Sequence, residues 1–75
     1  MKGKKVSRGA YARIRSSYAT LLPAEKQIAD FILKNAEQIE ELSINELAEY
    51  AKTSKSTVTR FCQRLGYNGF KQFRL

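Results

Sequence analysis

S-I-N-E-L-A-E-Y-A-K-T-S-K-S-T-V-T-R-F-C-Q-R-L-G, residues 43–66, decides the fold. Ser43 and Glu46 form Ser-x-x-Glu, the pair in which each side chain satisfies the other residue's free backbone donor at a helix start. Ile44, Leu47, Ala48 and Ala51 follow at i, i+3, i+4 and i+7, the spacing of one buried helix face. A helix of about eight residues is marginal alone, so packing must hold it. Ser54 caps a second helix, in which Val58, Phe61, Cys62 and Leu65 repeat the spacing. Gly66 stands where a left-handed residue ends a helix.

Only Lys52 to Ser54 separate the two helices. So tight a connection makes them cross steeply, as in a helix-turn-helix. Ala48 is small where the helices approach, and Val58 and Phe61 lock the second onto the first. At 100° per residue, Phe61, Cys62 and Leu65 lie within about 60° of Val58. Ser56, Arg60 and Gln63 lie on the far side, at about 140° to 200°, flanked by Thr59 and Arg64. That outward face carries hydroxyls, an amide and guanidinium groups, and no acid. Arg can bond two acceptors on guanine, Gln can pair with adenine, and Ser or Thr can serve either. The helix N-terminus adds free N–H groups and positive dipole for a phosphate.

The flanking sequence adds further short helices. Tyr11, Ile14 and Tyr18 predict a first helix over about residues 10–19. Pro23 suits the first position of the next helix, and Glu25 its electropositive first turn. Ala24, Ile28, Phe31, Ile32 and Asn35 share one side of it, while Leu33 points away; this helix runs to about Asn35. Residues 36–42 form a short turn or helical piece, with Ile39 and Leu42 inward. Asn68 is expected to cap a last helix that begins at Gly69 and carries Phe70 and Phe73. The expected fold is all-α, a compact bundle of about five short helices containing the helix-turn-helix. Residues 10–75 form that domain, and residues 1–9 a flexible basic arm. The sequence stops at Leu75 one or two turns into a helix, which suggests a chain cut from a longer one.

Charge narrows the partner. The 75 residues carry 14 Lys and Arg against 7 Asp and Glu, a net +7. Residues 1–24 contain Lys2, Lys4, Lys5, Arg8, Arg13 and Arg15 and no acid. All seven acids fall in residues 25–49. Residues 50–75 again hold only bases: Lys52, Lys55, Arg60, Arg64, Lys71 and Arg74. Two basic ends around an acidic middle point to a polyanion. With no His and one Cys, neither Ser–His nor Cys–His catalysis is available, nor a Cys/His zinc site. No cofactor is implied. Glu37, Glu40 and Glu41 read as a solvated surface, because hard cations need converging ligands. Cys62, on the apolar stripe, reads as a buried thiol. Tyr50 and Tyr67 read as packing residues, and Phe70 and Phe73 as core or dimer contacts. No apolar run of about 18 residues exists to span a membrane. The expected location is cytoplasmic.

Residues 43–73 resemble the N-terminal domain of RpiR-type bacterial transcriptional regulators. Ser54, Ser56-Thr57-Val58, Arg60-Phe61-Cys62, Leu65-Gly66 and Gly69-Phe70 carry the likeness. A-E-K-Q-I-A-D-F-I-L, residues 24–33, is similar to that family's preceding helix. The resemblance implies an all-helical domain that binds double-stranded DNA as a homodimer on a palindromic operator and controls sugar metabolism. It also implies a C-terminal, sugar-isomerase-like domain, absent from this chain, that senses a phosphosugar. Three positions depart from the pattern. Leu22 precedes Pro23 where a small polar residue is usual, Lys52 takes a turn position often held by Gly, and Thr53 replaces an aliphatic residue.

The expected function is therefore sequence-specific DNA binding in a transcriptional regulator, with the helix at about 55–65 in the major groove. Lys55, Ser56, Thr59, Arg60 and Gln63 are the candidates for base edges and nearby phosphates. Thr57 and Arg64 are the candidates for phosphate. Lys2, Lys4, Lys5 and Arg8 add backbone or minor-groove contact. The alternative is a basic helical protein-interaction module without specific DNA binding. An enzyme fragment is disfavoured for want of a paired nucleophile and base, and a membrane-surface helix for want of an exposed apolar face.

Overall fold

A computed structural model describes residues 8–74. They form six α-helices, with no strand among the described residues. These are α1 (Arg8–Ser17), α2 (Pro23–Lys34), α3 (Ala36–Ile39), α4 (Ile44–Tyr50), α5 (Lys55–Arg64) and α6 (Phe70–Arg74). The all-α expectation holds, with the piece at 36–39 adding a sixth helix. The first helix begins at Arg8, earlier than periodicity suggested, and tightens into a 3-10 turn at Tyr18–Thr20. Residues 8 and 9 of the expected arm thus belong to α1. Lys2, Lys4 and Lys5 lie outside the described residues.

Local chemistry explains the boundaries. At Ser43 the reciprocal box is complete: the Ser43 N–H donates to Glu46 Oε1 (2.9 Å), and the Glu46 N–H to Ser43 Oγ (3.1 Å). Leu22 has no side-chain acceptor to offer, so α2 keeps half of such a box, with the Leu22 N–H donating to Glu25 Oε1 (2.9 Å). The last helix starts one residue later than expected. The carbonyl of Gly69, not Asn68, accepts the first helical bond, from Phe73. Asn68 instead presents its carbonyl to Gln63 Nε2 (3.1 Å).

One core joins all six helices. Ile14, Ile28, Ile32, Ile39, Leu47, Val58, Phe61, Cys62 and Phe73 are all essentially sealed from water. Each such side chain contributes about 1.5–3 kcal/mol through removal of apolar surface from water. Phe61 meets Phe73 edge to face at 6.2 Å, the orientation that ring quadrupoles favour. The helix α5 sits centrally, packed on α2, α4 and α6. Arg74 ties α6 back to the segment before α4, donating to the carbonyls of Leu42 (2.7 Å) and Glu40 (3.3 Å). One aromatic position differs from expectation. Phe31 is only half-buried, and its ring stacks on Tyr50 at 5.5 Å and 6°. Tyr50 is 60% exposed, so it packs sideways on a ring instead of entering the core. Leu33 packs on the core as a half-buried residue.

Candidate nucleic-acid interface

The turn between α4 and α5 is closed by main-chain bonds. The Thr53 N–H donates to the Ala48 carbonyl (2.8 Å) and the Lys52 N–H to the Glu49 carbonyl (3.1 Å). These are the two bonds of a Schellman motif, which requires a left-handed residue between them. Lys52 supplies it, at φ +60°, the one non-glycine residue with positive φ among those described. Backbone closure here sets how α5 leaves α4.

Ser54 then starts α5. Its Oγ accepts from the Thr57 N–H at 3.1 Å and lies 3.0 Å from Thr57 Oγ1. Thr57 is therefore half-buried and engaged in the cap. The apolar stripe faces inward as expected, with Val58, Phe61 and Cys62 at 0% exposure and Leu65 at 5%. Burial pushes the Cys62 thiol from 9.0 up to about 12. On the opposite side Ser56, Arg60 and Gln63 are exposed and Thr59 is half-buried, while Lys55 is exposed in the first turn, about 60° from Val58. The structure thus gathers Ser56, Thr59, Arg60 and Gln63 on one surface of α5, with Lys55 exposed beyond its Thr59 edge. Gln63 is also held by its bond to the Asn68 carbonyl.

Arg64 lies at the edge of this surface and is differently placed. Its Nε donates to Glu25 Oε2 at 3.0 Å and lies 2.9 Å from Oε1. Glu25 is 2% exposed, and the Arg64 side chain 46% exposed. The expected free phosphate ligand is thus also a tie between α5 and the start of α2. The sequence marked Glu25 only as a helix-dipole partner. Its burial was not legible because Arg64 lies 39 positions away.

In the sequence Arg13 stands only as part of a basic end. Its Nη1 donates to the Leu65 carbonyl at 2.9 Å, and its guanidinium lies 5.1 Å from the centre of the Tyr67 ring. A cation there satisfies an orphan carbonyl and complements the negative end of the α5 dipole. The helix that faces outward is thus fixed at its start by Ser54 and at its finish by Arg13 and Glu25. Its far face is cationic and polar. A rigid helix of this kind, presented through a tight turn, defines a helix-turn-helix domain.

The relatives agree. A match to the helix-turn-helix domain, rpiR family, extends over residues 8–75, and this chain belongs to that family. The HTH-type transcriptional regulator YfhH of Escherichia coli K12 is 40% identical over 63 residues, 84% of this chain and 22% of that protein. An HTH-type transcriptional regulator of Thermotoga maritima is 42% identical over 64 residues, 84% of this chain and 23% of that one. Among solved structures, the N-terminal domain of ybbH from Bacillus subtilis superposes with TM-score 0.85 at 34% identity, covering 91% of this chain and 83% of that one. The Vibrio vulnificus NanR protein complexed with ManNAc-6P gives TM-score 0.84 at 35% identity, over 87% of this chain and 25% of NanR. This chain therefore spans about a quarter or less of the full-length regulators it matches. The same module also matches 11% of the bifunctional protein glk of Burkholderia thailandensis, at 38% identity.

Proposed function

We propose that this domain binds double-stranded DNA in a sequence-specific manner, with α5 in the major groove. The observation that carries the reading is the outward surface of α5: Ser56, Arg60 and Gln63 are exposed together, with Lys55 exposed in the first turn and without an acid among them. Arg60 and Gln63 read base edges, Lys55, Ser56 and Thr59 share base and phosphate contacts, and Thr57 and Arg64 lie at the phosphate flanks. The basic segment containing Lys2, Lys4, Lys5 and Arg8 adds backbone or minor-groove contact.

The domain works in a cytoplasmic homodimer on a palindromic operator, in control of sugar or sugar-phosphate genes. The phosphosugar effector binds elsewhere in a longer protein, a reading supported by the sugar-phosphate named in the NanR complex. No helix among the described residues is long and apolar enough to cross a membrane.

The test is selection of duplexes from a random library, followed by titration of selected and scrambled DNA across a salt series. Log affinity should fall with log salt by about 0.9 per phosphate neutralised, with on the order of four to six contacts per protomer. A flat salt response overturns the reading and favours a basic protein-interaction module.

A further inference from the structure

Glu25 is the one charged side chain buried among the described residues, and contact with bases gives it no role. We propose that Glu25 is a positioning residue for DNA-backbone binding: it grips the Nε edge of Arg64 and thereby presents the remaining guanidinium donors to a phosphate beside the C-terminal half of α5. The proposal rests on α5 being the DNA-facing helix.

Three observations carry it. First, Glu25 is already fixed before it meets Arg64, because its Oε1 accepts the Leu22 N–H at the start of α2. The carboxylate is thus a fixed point set by the start of α2. Second, the contact to Glu25 uses Nε alone. A guanidinium has five N–H donors in a fixed plane, so the terminal four have no partner among the described residues. The side chain is 46% exposed, so those donors reach solvent. Third, Thr57, Arg60 and Arg64 fall within about 60° of one another around α5, which puts Arg64 on the flank of the reading surface, where the groove wall lies. A surface Arg normally loses rotamer freedom when it binds phosphate. Here the buried carboxylate has already restricted it.

The experiment uses Arg64→Lys, Glu25→Gln and the double variant, with thermal melts and titrations of selected and scrambled duplex over a salt series. Arg64→Lys keeps a charge for Glu25, but a compact ammonium cannot hold the carboxylate and reach a phosphate together. It should fold, lose about tenfold in affinity on both duplexes, and lower the salt slope by about 0.9. Glu25→Gln keeps an acceptor for Leu22 and releases Arg64. Its affinity should fall about threefold or more with the slope unchanged, and it should add no loss in the Arg64→Lys background. Equal losses from Glu25→Gln in both backgrounds would mean that Glu25 acts through the fold alone, and would overturn the proposal. So would full affinity and slope in Arg64→Lys, which decides the question even if Glu25→Gln melts early. A parent domain with no salt-dependent binding fails the DNA reading itself, and the proposal with it.

Discussion

Lys52 and Gly66 occupy the same place in two copies of one motif. Each lies two residues past the end of a helix, each has positive φ (+60° and +102°), and each takes part in a Schellman closure. At Gly66 the pair is the Tyr67 N–H to the Cys62 carbonyl and the Gly66 N–H to the Gln63 carbonyl, both 3.0 Å. One site uses the residue that tolerates this backbone, and the other pays for a side chain.

Lys52→Gly should therefore stabilise the domain. An L-residue in the left-handed region costs about 1–2 kcal/mol, offset in part by the entropy that Gly adds to the unfolded chain. The net expectation is about 0.5–1 kcal/mol, or a melting temperature higher by roughly 2–8 °C for a domain this size. Calorimetry checks it; an unchanged or lower melting temperature contradicts the strain.

Gly66→Ala should act in the opposite direction and reach farther. The new Cβ meets Arg13 Nη1 at 2.7 Å as well as the unfavourable φ. Arg13 must shift from the Leu65 carbonyl, so the cost should exceed about 1–2 kcal/mol. Arg13→Ala in the Gly66→Ala background should then cost less than in the parent, which a double-mutant cycle of melts would reveal.

Phe61→Ala should cost about 3–5 kcal/mol, through lost burial and the cavity left against Phe73. For so small a domain this is near total stability. Urea unfolding is the measurement, and a parent-like midpoint would mean that α5 faces the wrong way.

Arg60→Ala should leave melting unchanged, because the side chain is exposed and the opposite stripe packs. It should weaken binding to a selected duplex by about 1–3 kcal/mol and to scrambled DNA much less, if it pairs with guanine. Equal losses on the two duplexes would make Arg60 a phosphate clamp.

Cys62 should resist a thiol reagent at pH 8 in the folded protein and react readily in denaturant. Its folded value of about 12 lies above the ordinary 9.0, so the folded state holds the thiol proton more tightly. Its contribution to stability is complete below about pH 9 and is lost as pH rises toward 12. A melting series from pH 7 to pH 11 with Cys62→Ala as reference isolates this loss.

The chain reveals what is local. Ser43 with Glu46, Ser54, Gly66 and the Val58–Leu65 stripe could all be read because each depends on neighbours within a few positions. Lys52 stands out only against the family pattern, which often has Gly at that turn position. Arg13 on Leu65, 52 positions apart, and Glu25 on Arg64 were not legible, because nothing in local spacing says which distant cation a buried carboxylate will meet. The same gap divides the candidate site. The face of α5 follows from periodicity, whereas the anchoring of its finish depends on how α1 and α2 return to it. Tyr50 packs, but its partner, the Phe31 ring at the surface, is a cross-helix contact that hydrophobicity does not specify.

The closure between α4 and α5 is written in amide groups, Thr53 to Ala48 and Lys52 to Glu49, and no side chain takes part. Side chains at 52 and 53 that keep the two N–H donors therefore leave this closure in place. The path of the turn rests on main-chain bonds, while Ser54, Arg13 and Glu25 hold the two ends of α5 away from the exposed positions. Exposed positions such as Ser56, Arg60 and Gln63 can then be exchanged, and the DNA sequence preferred can drift, on a scaffold that does not have to be rebuilt each time.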